Sequence, residues 1–271
     1  MPSVLAVTAH PDDIEFMMAG TLVLLREAGW EVHLLNIANG NCGSATDSRE
    51  VIAAKRWEES QDSARILGAT VHPPFSDDLC IGYDQAQLRK LAAIVRAVAP
   101  SIVLLHSPQD YMEDHMNACR LTVTAAFTRG MPNFETIPPT PPVGNDVMLY
   151  HALPYGLRDG LRRRVRAGQY VDISSALATK RAALAAHRSQ KEWLDVSQGL
   201  DSYLQTMEDM SREVGDMARA AGAPAEGFAY AEGFRRHAHL GFCAPDADPL
   251  SDALADCVHI DAAYERALDA Y

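Results

Sequence analysis

The sequence predicts an α/β protein with a mostly parallel sheet and helices on both faces. Short apolar runs rich in β-branched residues alternate with longer amphipathic stretches, as strands alternate with crossover helices. Polar segments with histidine and aspartate follow two of these apolar runs, at 9–13 and 106–115. Because parallel sheets bind ligands at the carboxyl ends of their strands, we expect the functional site there.

The elements of the first half of the chain follow in a regular order. We predict strands at 3–8, 31–37 and 101–105, and helices at 15–28, 49–67, 84–98 and 115–128. Gly29 and Gly68 suit the left-handed position that commonly ends a helix, and Pro100 ends a third helix.

The second half is less regular. Strands are predicted at 146–151 and 170–173, and helices at 175–187 and 200–221, whereas 131–144 holds five prolines and is predicted to be a loop. We expect a single domain over 1–243 and a C-terminal extension over 244–271 that is helical or loosely docked.

Composition and charge narrow the range of functions. The net charge of −12 repels phosphate backbones, so we expect no nucleic-acid partner. The apolar runs are strand-sized, which predicts no membrane span, and the N-terminus lacks the basic segment of a signal peptide. Five widely spaced cysteines without a CxxC pair are typical of a reducing compartment, so we expect a cytoplasmic protein.

The turn after the first strand indicates a cation site. A dinucleotide-binding fold would carry a glycine-rich turn here, but this chain has His10-Pro11-Asp12-Asp13 and no glycine until Gly20. Imidazole and carboxylate groups suit a metal ion rather than a phosphate. Pro-Asp-Asp before a helix is also a good helix cap, so the tetrapeptide alone leaves a purely structural role open.

A second polar cluster supplies the missing ligand. Catalytic zinc takes three protein ligands and leaves one position for water. His10 and Asp13 provide two, and His115 is well placed to provide the third because its loop leaves another strand end. Asp12 then has a different role, as the base that takes a proton from the activated water.

Several motifs together resemble the LmbE-like, or PIG-L, family of zinc-dependent N-acetylglucosaminyl deacetylases. They are AHPDDIE at 9–15, Gly-Thr-Leu at 20–22, Arg56 with Glu59, the segment 110–115 and KRAALAAHRSQ at 180–190. The resemblance implies a Rossmann-like fold and one Zn²⁺, or another divalent metal, per subunit. It implies removal of an acetyl or other acyl group from the amide nitrogen of an amino sugar or sugar conjugate, and a tendency to form homo-oligomers.

The resemblance also assigns roles to residues. It implies that His10, Asp13 and His115 hold the metal, that Asp12 is the general base, and that Asp114 fixes a nearby ring or loop. Asp110 and Tyr111 are further candidates around the ligands. Arg56 is a candidate for binding substrate hydroxyls, with an ion pair on a helix surface as the alternative.

One position departs from the family pattern. The family usually has His-x-Asp-His in the second cluster, and its first histidine polarises the acyl oxygen, but this chain has Met112 there. Losing one such donor typically costs ~10²–10³ in rate. His237 and His239, expected on one face of a strand, and Tyr111 are candidate replacements. The alternative is a non-catalytic metal- or sugar-binding protein.

An arginine-rich stretch lies outside these motifs. Five arginines fall within 158–166, and they suit either an anionic substrate or a solvated loop or subunit contact.

Overall fold

An eight-stranded sheet forms the centre of the computed structural model, which describes residues 1–198 and 203–268. The strands are β1 (Ser3–Thr8), β2 (Glu31–Asn36), β3 (Thr70–His72), β4 (Ile102–Leu105), β5 (Met148–Ala152), β6 (Gln169–Asp172), β7 (Ala231–Arg236) and β8 (Val258–Ile260). Their order is β3-β2-β1-β4-β5-β7-β6-β8. The first five are parallel, whereas β7 runs antiparallel to β5 and β6, and β8 antiparallel to β6.

Helices cover both faces of this sheet, which confirms the predicted fold class. They are α1 (Asp13–Met17), α2 (Ala19–Glu27), α3 (Arg49–Leu67), α4 (Gln85–Val98), α5 (Glu113–Phe127), α6 (Leu177–Ala185), α7 (Arg188–Gln198), α8 (Tyr203–Ala220), α9 (Pro249–Leu254) and α10 (Ala262–Leu268). Alternate residues of β1 enter different cores: Val4 packs with α2, and Leu5 packs with α4 and α5. Within the described residues, no helix is both long and apolar enough to cross a membrane.

The predicted helix at 15–28 is two helices that break at Met18, where φ is −150°. A distant side chain explains the break. Glu232 accepts hydrogen bonds from the backbone N–H groups of Gly20 (2.9 Å) and Thr21 (2.8 Å), so it satisfies donors that a new helix leaves free. The buried Lys180 ammonium, 2.6 Å from Glu232, offsets the charge.

The residues after 243 form two α-helices and one strand within the part that the structure describes. Leu250 on α9 is fully buried, Tyr150 donates a hydrogen bond to Asp248 (2.6 Å), and β8 adds a strand to the edge of the sheet. A three-residue strand has too little alternation to be read from sequence. The division of the chain at residue 243 stays a prediction.

The strand order places the site. The chain passes from β1 outwards to β2 and β3, and then returns to place β4 on the other side of β1. The carboxyl ends of β1 and β4 are therefore neighbours at the point where the order reverses, which is where open α/β sheets bind ligands. His10 and Asp13 follow β1 at the start of α1, and His115 lies in the first turn of α5, which follows β4.

Candidate metal centre and active site

The turn between β1 and α1 has an unusual backbone. Asp12 adopts φ 104°, a left-handed value that costs free energy for a residue with a Cβ, and its side chain is buried. Asp13 begins α1, and its Oδ2 accepts a hydrogen bond from the backbone N–H of His10 at 2.7 Å. Hydrogen bonds within the turn stabilise this backbone, since the N–H of Phe16 also donates to the carbonyl of Asp12 at 3.0 Å.

Three side chains converge on one point. Asp13 Oδ2 lies 3.5 Å from His10 Nδ1, and Asp13 Oδ1 lies 3.5 Å from His115 Nε2. A tetrahedral zinc site with bonds near 2.0–2.1 Å needs ligand atoms about 3.3 Å apart. The described part of the chain thus contains a His–Asp–His group whose donor atoms fit a metal ion.

Two further carboxylates orient the imidazole rings. His10 Nε2 lies 3.0 Å from Asp114 Oδ2, and His115 Nδ1 lies 3.0 Å from Asp110 Oδ1. When each of these nitrogens donates its proton, the other ring nitrogen keeps its lone pair towards Asp13. Such carboxylate–histidine pairs commonly fix the tautomer of metal ligands. Asp114 and Asp110 therefore lie where they can orient the rings of His10 and His115, the two histidines predicted to bind the metal.

His106 forms an alternative group with Asp110 and His115, and all three are buried. However, His106 Nε2 already accepts a hydrogen bond from the backbone N–H of Ala9 at 3.0 Å. Its ring also stacks on His115, with centroids 4.1 Å apart and an angle of 9° between the planes. His106 thus supports the His115 ring, and the group of His10, Asp13 and His115 is the more open to a metal.

The surroundings of Asp12 and Asp13 shift the pKa values of these adjacent carboxyl groups in opposite directions. Burial raises the pKa of Asp13, but His115 and His106 outweigh this effect and hold it well below its ordinary value. Burial and the negative charge of Asp13 raise the pKa of Asp12, although the positive charge of Arg56 opposes this rise. One carboxylate therefore stays ionised, as a ligand must, and the other is set up to exchange protons nearer neutral pH.

A cavity of about 370 Å³ opens over these groups. Its floor holds His10, Asp12, Asp13 and His115, and its walls are largely apolar and aromatic. The wall residues include Phe16, Met17, Leu79, Tyr111, Met112, Tyr155, Trp193, Leu194 and Tyr203.

Arg56 lines the same cavity and is only 2% exposed. Its Nη1 reaches the carbonyl of Gly40 at 3.4 Å, but Nε and Nη2 have no hydrogen-bond partner among the residues that the structure describes. The alternative of an ion pair on the helix surface is therefore wrong. Buried guanidinium N–H groups without partners are costly, so a ligand that accepts from them is expected.

Of the three candidate donors that could replace the histidine missing at Met112, only Tyr111 lines the cavity. The expectation that His237 and His239 share one face of a strand is wrong, because β7 ends at Arg236. His237 Nδ1 lies 2.9 Å from His151 Nε2, and neither His237 nor His239 lines the cavity. Tyr111 does line it, with its ring edge-on to His115 at 5.6 Å between centroids.

Other site residues come from α7 and α8 and were not foreseen. The Tyr203 hydroxyl donates a hydrogen bond to Asp12 Oδ2 at 2.5 Å, and Trp193 and Leu194 form part of the wall. Tyr203 lies 191 residues from Asp12 in the chain, and no local pattern marks it. The 180–190 motif contributed to the family resemblance and assigned no role to α7 or α8.

Comparison with known proteins gives three relevant relatives. Diacetylchitobiose deacetylase of Thermococcus kodakarensis is 28% identical over 211 residues, 75% of each chain. The 4-oxalmesaconate hydratase of Pseudomonas putida is 34% identical over 152 residues, 52% of this chain and 59% of the relative. The crystal structure of the 4-carboxy-2-hydroxymuconate hydratase GalB from Pseudomonas putida superposes with a TM-score of 0.73 at 25% identity, over 87% of this chain and 96% of that one.

The sheet, the cavity and the His–Asp–His group together suit an α/β hydrolase. Residues 5–126, which include the 9–13 turn and His115, match the profile of the PIG-L family, described as GlcNAc-PI de-N-acetylase. The resemblance read from the sequence is thus confirmed. Since the relatives are enzymes, the alternative of a non-catalytic binding protein is not favoured.

The ring-orienting role of Asp114 can be tested through metal affinity. We expect Asp114→Asn to weaken Zn²⁺ binding by about 10- to 100-fold, because the amide holds His10 less firmly in its ligand tautomer. Competition with a chromophoric chelator measures the affinity. Glu113→Gln, the exposed neighbour, is the matched control, and equal affinities for the two variants would contradict the assignment.

Proposed function

We propose that this protein removes the acetyl group from the nitrogen of an N-acetyl amino sugar or its conjugate. The proposed metal ligands are His10, Asp13 and His115, and Asp12 is the proposed general base. The convergence of the three donors beside a separate, buried carboxylate is the observation that carries this proposal. The match of residues 5–126 to the PIG-L profile and the similarity to a diacetylchitobiose deacetylase support it.

Two imidazoles and one carboxylate are a donor set that suits Zn²⁺. A divalent metal at this position supplies Lewis acidity, which polarises the acyl carbonyl and makes a water molecule more acidic. The fit rests on the 3.5 Å separations between the donor atoms and on the two carboxylates that orient the rings.

Asp12 moves the proton. As the water oxygen bonds to the acyl carbon, Asp12 takes its proton, and it returns that proton to the nitrogen as the carbon–nitrogen bond breaks. The products are acetate and the free amine. The Tyr203 hydroxyl binds Oδ2 of Asp12, so Oδ1 is left to face the reactants.

Tyr111 is the hydrogen-bond donor that we assign to the acyl oxygen, in the role of the histidine replaced by Met112. Its ring lies against His115 and lines the cavity. Burial and the negative charge of Asp13 raise the pKa of the Tyr111 phenol, so the hydroxyl keeps its proton and can donate. Trp193 and Tyr155 offer aromatic surface to a sugar ring, and Arg56 offers free N–H groups to its hydroxyls.

The base assignment is tested by Asp12→Asn. We expect amine release from N-acetylglucosamine and diacetylchitobiose to fall by about 10²- to 10⁴-fold, because an amide cannot take the proton. Metal content should stay unchanged, and Asp252→Asn on α9 is the control. A metal-loaded Asp12→Asn variant with full activity would refute the role.

The Tyr203 hydrogen bond sets a pH dependence. This bond stabilises the ionised form of Asp12 and lowers its pKa, so Tyr203→Phe should raise that pKa. Because the base works when ionised, the acidic limb of the kcat/KM profile should shift to higher pH in the variant. Profiles of the wild type and of Tyr83→Phe provide the comparison. An acidic limb that stays in place or moves to lower pH would contradict the prediction.

The donor role of Tyr111 is tested by removing its hydroxyl and restoring the family histidine. Tyr111→Phe should lower kcat by about 10²- to 10³-fold with a smaller effect on KM, because the bond strengthens in the transition state. Adding Met112→His to Tyr111→Phe should recover part of the loss. If Tyr111→Phe turns over at the wild-type rate, the donor is another group.

A second reaction at the same site is the addition of water to a carbon–carbon double bond. Similarity to Pseudomonas putida hydratases in sequence and in structure supports it, and the N–H groups of Arg56 that have no partner among the described residues suit a carboxylate as well as a hydroxyl. The two reactions are distinguished by incubating the metal-loaded protein with 4-oxalmesaconate and with the N-acetyl sugars. Loss of the ultraviolet absorbance of the conjugated acid, without amine release, would favour the hydratase.

A further inference from the structure

The arginine-rich stretch forms a hairpin beside the cavity, here called the arginine hairpin (residues 158–164). Four of its seven residues are arginines, although the whole chain carries a net charge of −12. An isolated β-bridge pairs Arg158 with Arg164, and Leu157 and Val165 on either side are buried. The hairpin is therefore anchored at its base, and its tip is exposed.

Asp159 shapes the tip of the hairpin. Its Oδ1 accepts hydrogen bonds from the backbone N–H groups of Leu161 (2.9 Å) and Arg163 (2.8 Å). The chain turns through Arg162, which adopts φ 69° although it is not glycine. A left-handed arginine is an uncommon choice at a turn where glycine would be free of strain, and such strain is often kept where a side chain has a use.

The tip lies against the mouth of the cavity. A Cβ added to Gly160 would lie 3.4 Å from the carbonyl oxygen of Asp110 and 3.8 Å from Cα of Tyr111, so the two backbones are in contact. The hairpin follows Tyr155, whose ring centroid is 6.1 Å from that of Tyr111. Tyr111 and Tyr155 both line the cavity, so the hairpin lies beside residues of the cavity wall.

Two guanidinium groups of the hairpin are unpaired. Arg164 forms an ion pair with Glu213, and Arg158 donates to the carbonyl of Arg162 at 3.0 Å. The guanidinium groups of Arg162 and Arg163 have no hydrogen bond or ion pair to the residues that the structure describes. Unpaired arginines side by side on an otherwise acidic protein create a local positive field that attracts anions.

We propose that Arg162 and Arg163 bind an anionic oxygen group, a phosphate or a carboxylate, on the part of the substrate that remains outside the cavity. This proposal rests on the proposed function, because it assumes that the acyl group enters the cavity. Planar guanidinium groups bind phosphate and carboxylate oxygens through paired N–H donors, which gives orientation as well as attraction. The preferred substrates are then N-acyl amino sugars that carry a negative charge.

Binding of matched sugars tests the proposal without requiring turnover. Calorimetry on the metal-loaded protein compares neutral N-acetylglucosamine with its 6-phosphate, its 1-phosphate and N-acetylmuramic acid, which carries a carboxylate. At least one anionic sugar should bind about tenfold more tightly than the neutral one, as expected for two partly exposed charge pairs. In Arg162→Gln/Arg163→Gln the preference should disappear while the affinity for N-acetylglucosamine is unchanged.

The controls separate the possible outcomes. Arg65→Gln/Arg181→Gln removes two charges on α3 and α6 and should keep the preference. No preference in the wild type, or a preference that survives in the hairpin variant, would overturn the proposal and would place any anion at the metal or Arg56. Amine release is measured separately. Hairpin-dependent binding without amine release would refute the deacetylase function and leave the anion site standing.

Discussion

The largely buried carboxylate of Asp13 makes the interactions on which the site depends. It binds the backbone of its own turn through His10 N–H at 2.7 Å, and it faces the rings of His10 and His115 at 3.5 Å. The strand order β2-β1-β4 brings these groups together, because His10 follows β1 and His115 follows β4. A buried anion is stable only with compensating partners, so Asp13 in turn requires histidines, a metal or both.

Buried glutamates tie distant helices to this centre. Glu232 on β7 satisfies the first N–H groups of α2 and binds Lys180 of α6. Glu59 on α3 accepts hydrogen bonds from the N–H (2.9 Å) and the hydroxyl (2.7 Å) of Ser189, at the start of α7. Because α7 also carries Trp193, the hydrogen bonds from Ser189 to Glu59 help to fix part of the cavity wall. Glu59 and Glu232 do not line the cavity, but they help to set its shape through the helices that they hold.

The sequence predicted what is local and missed what depends on tertiary contacts. His10, Asp12 and Asp13 share one turn, and the strand that precedes them is strongly apolar, so the turn could be singled out from the sequence. Other features depend on long-range partners. The break between α1 and α2 needs Glu232, which is 212 residues from Gly20. The position of His237 depends on where β7 ends, and element ends are the least certain part of any pattern.

Met112 changes what the rest of the site must provide. In the family pattern a histidine at this position donates to the acyl oxygen, and in this chain the position is the N-cap of α5, with an extended backbone. The donor that we propose instead is Tyr111, which lines the cavity, is 56% exposed and packs beside Gly160 of the arginine hairpin. A ligand that occupies Arg162 and Arg163 would therefore also restrict the loop that carries Tyr111. If Arg162 and Arg163 bind an anion as proposed, this contact would couple recognition of the charge to the position of Tyr111, and charged substrates would then gain in kcat as well as in affinity.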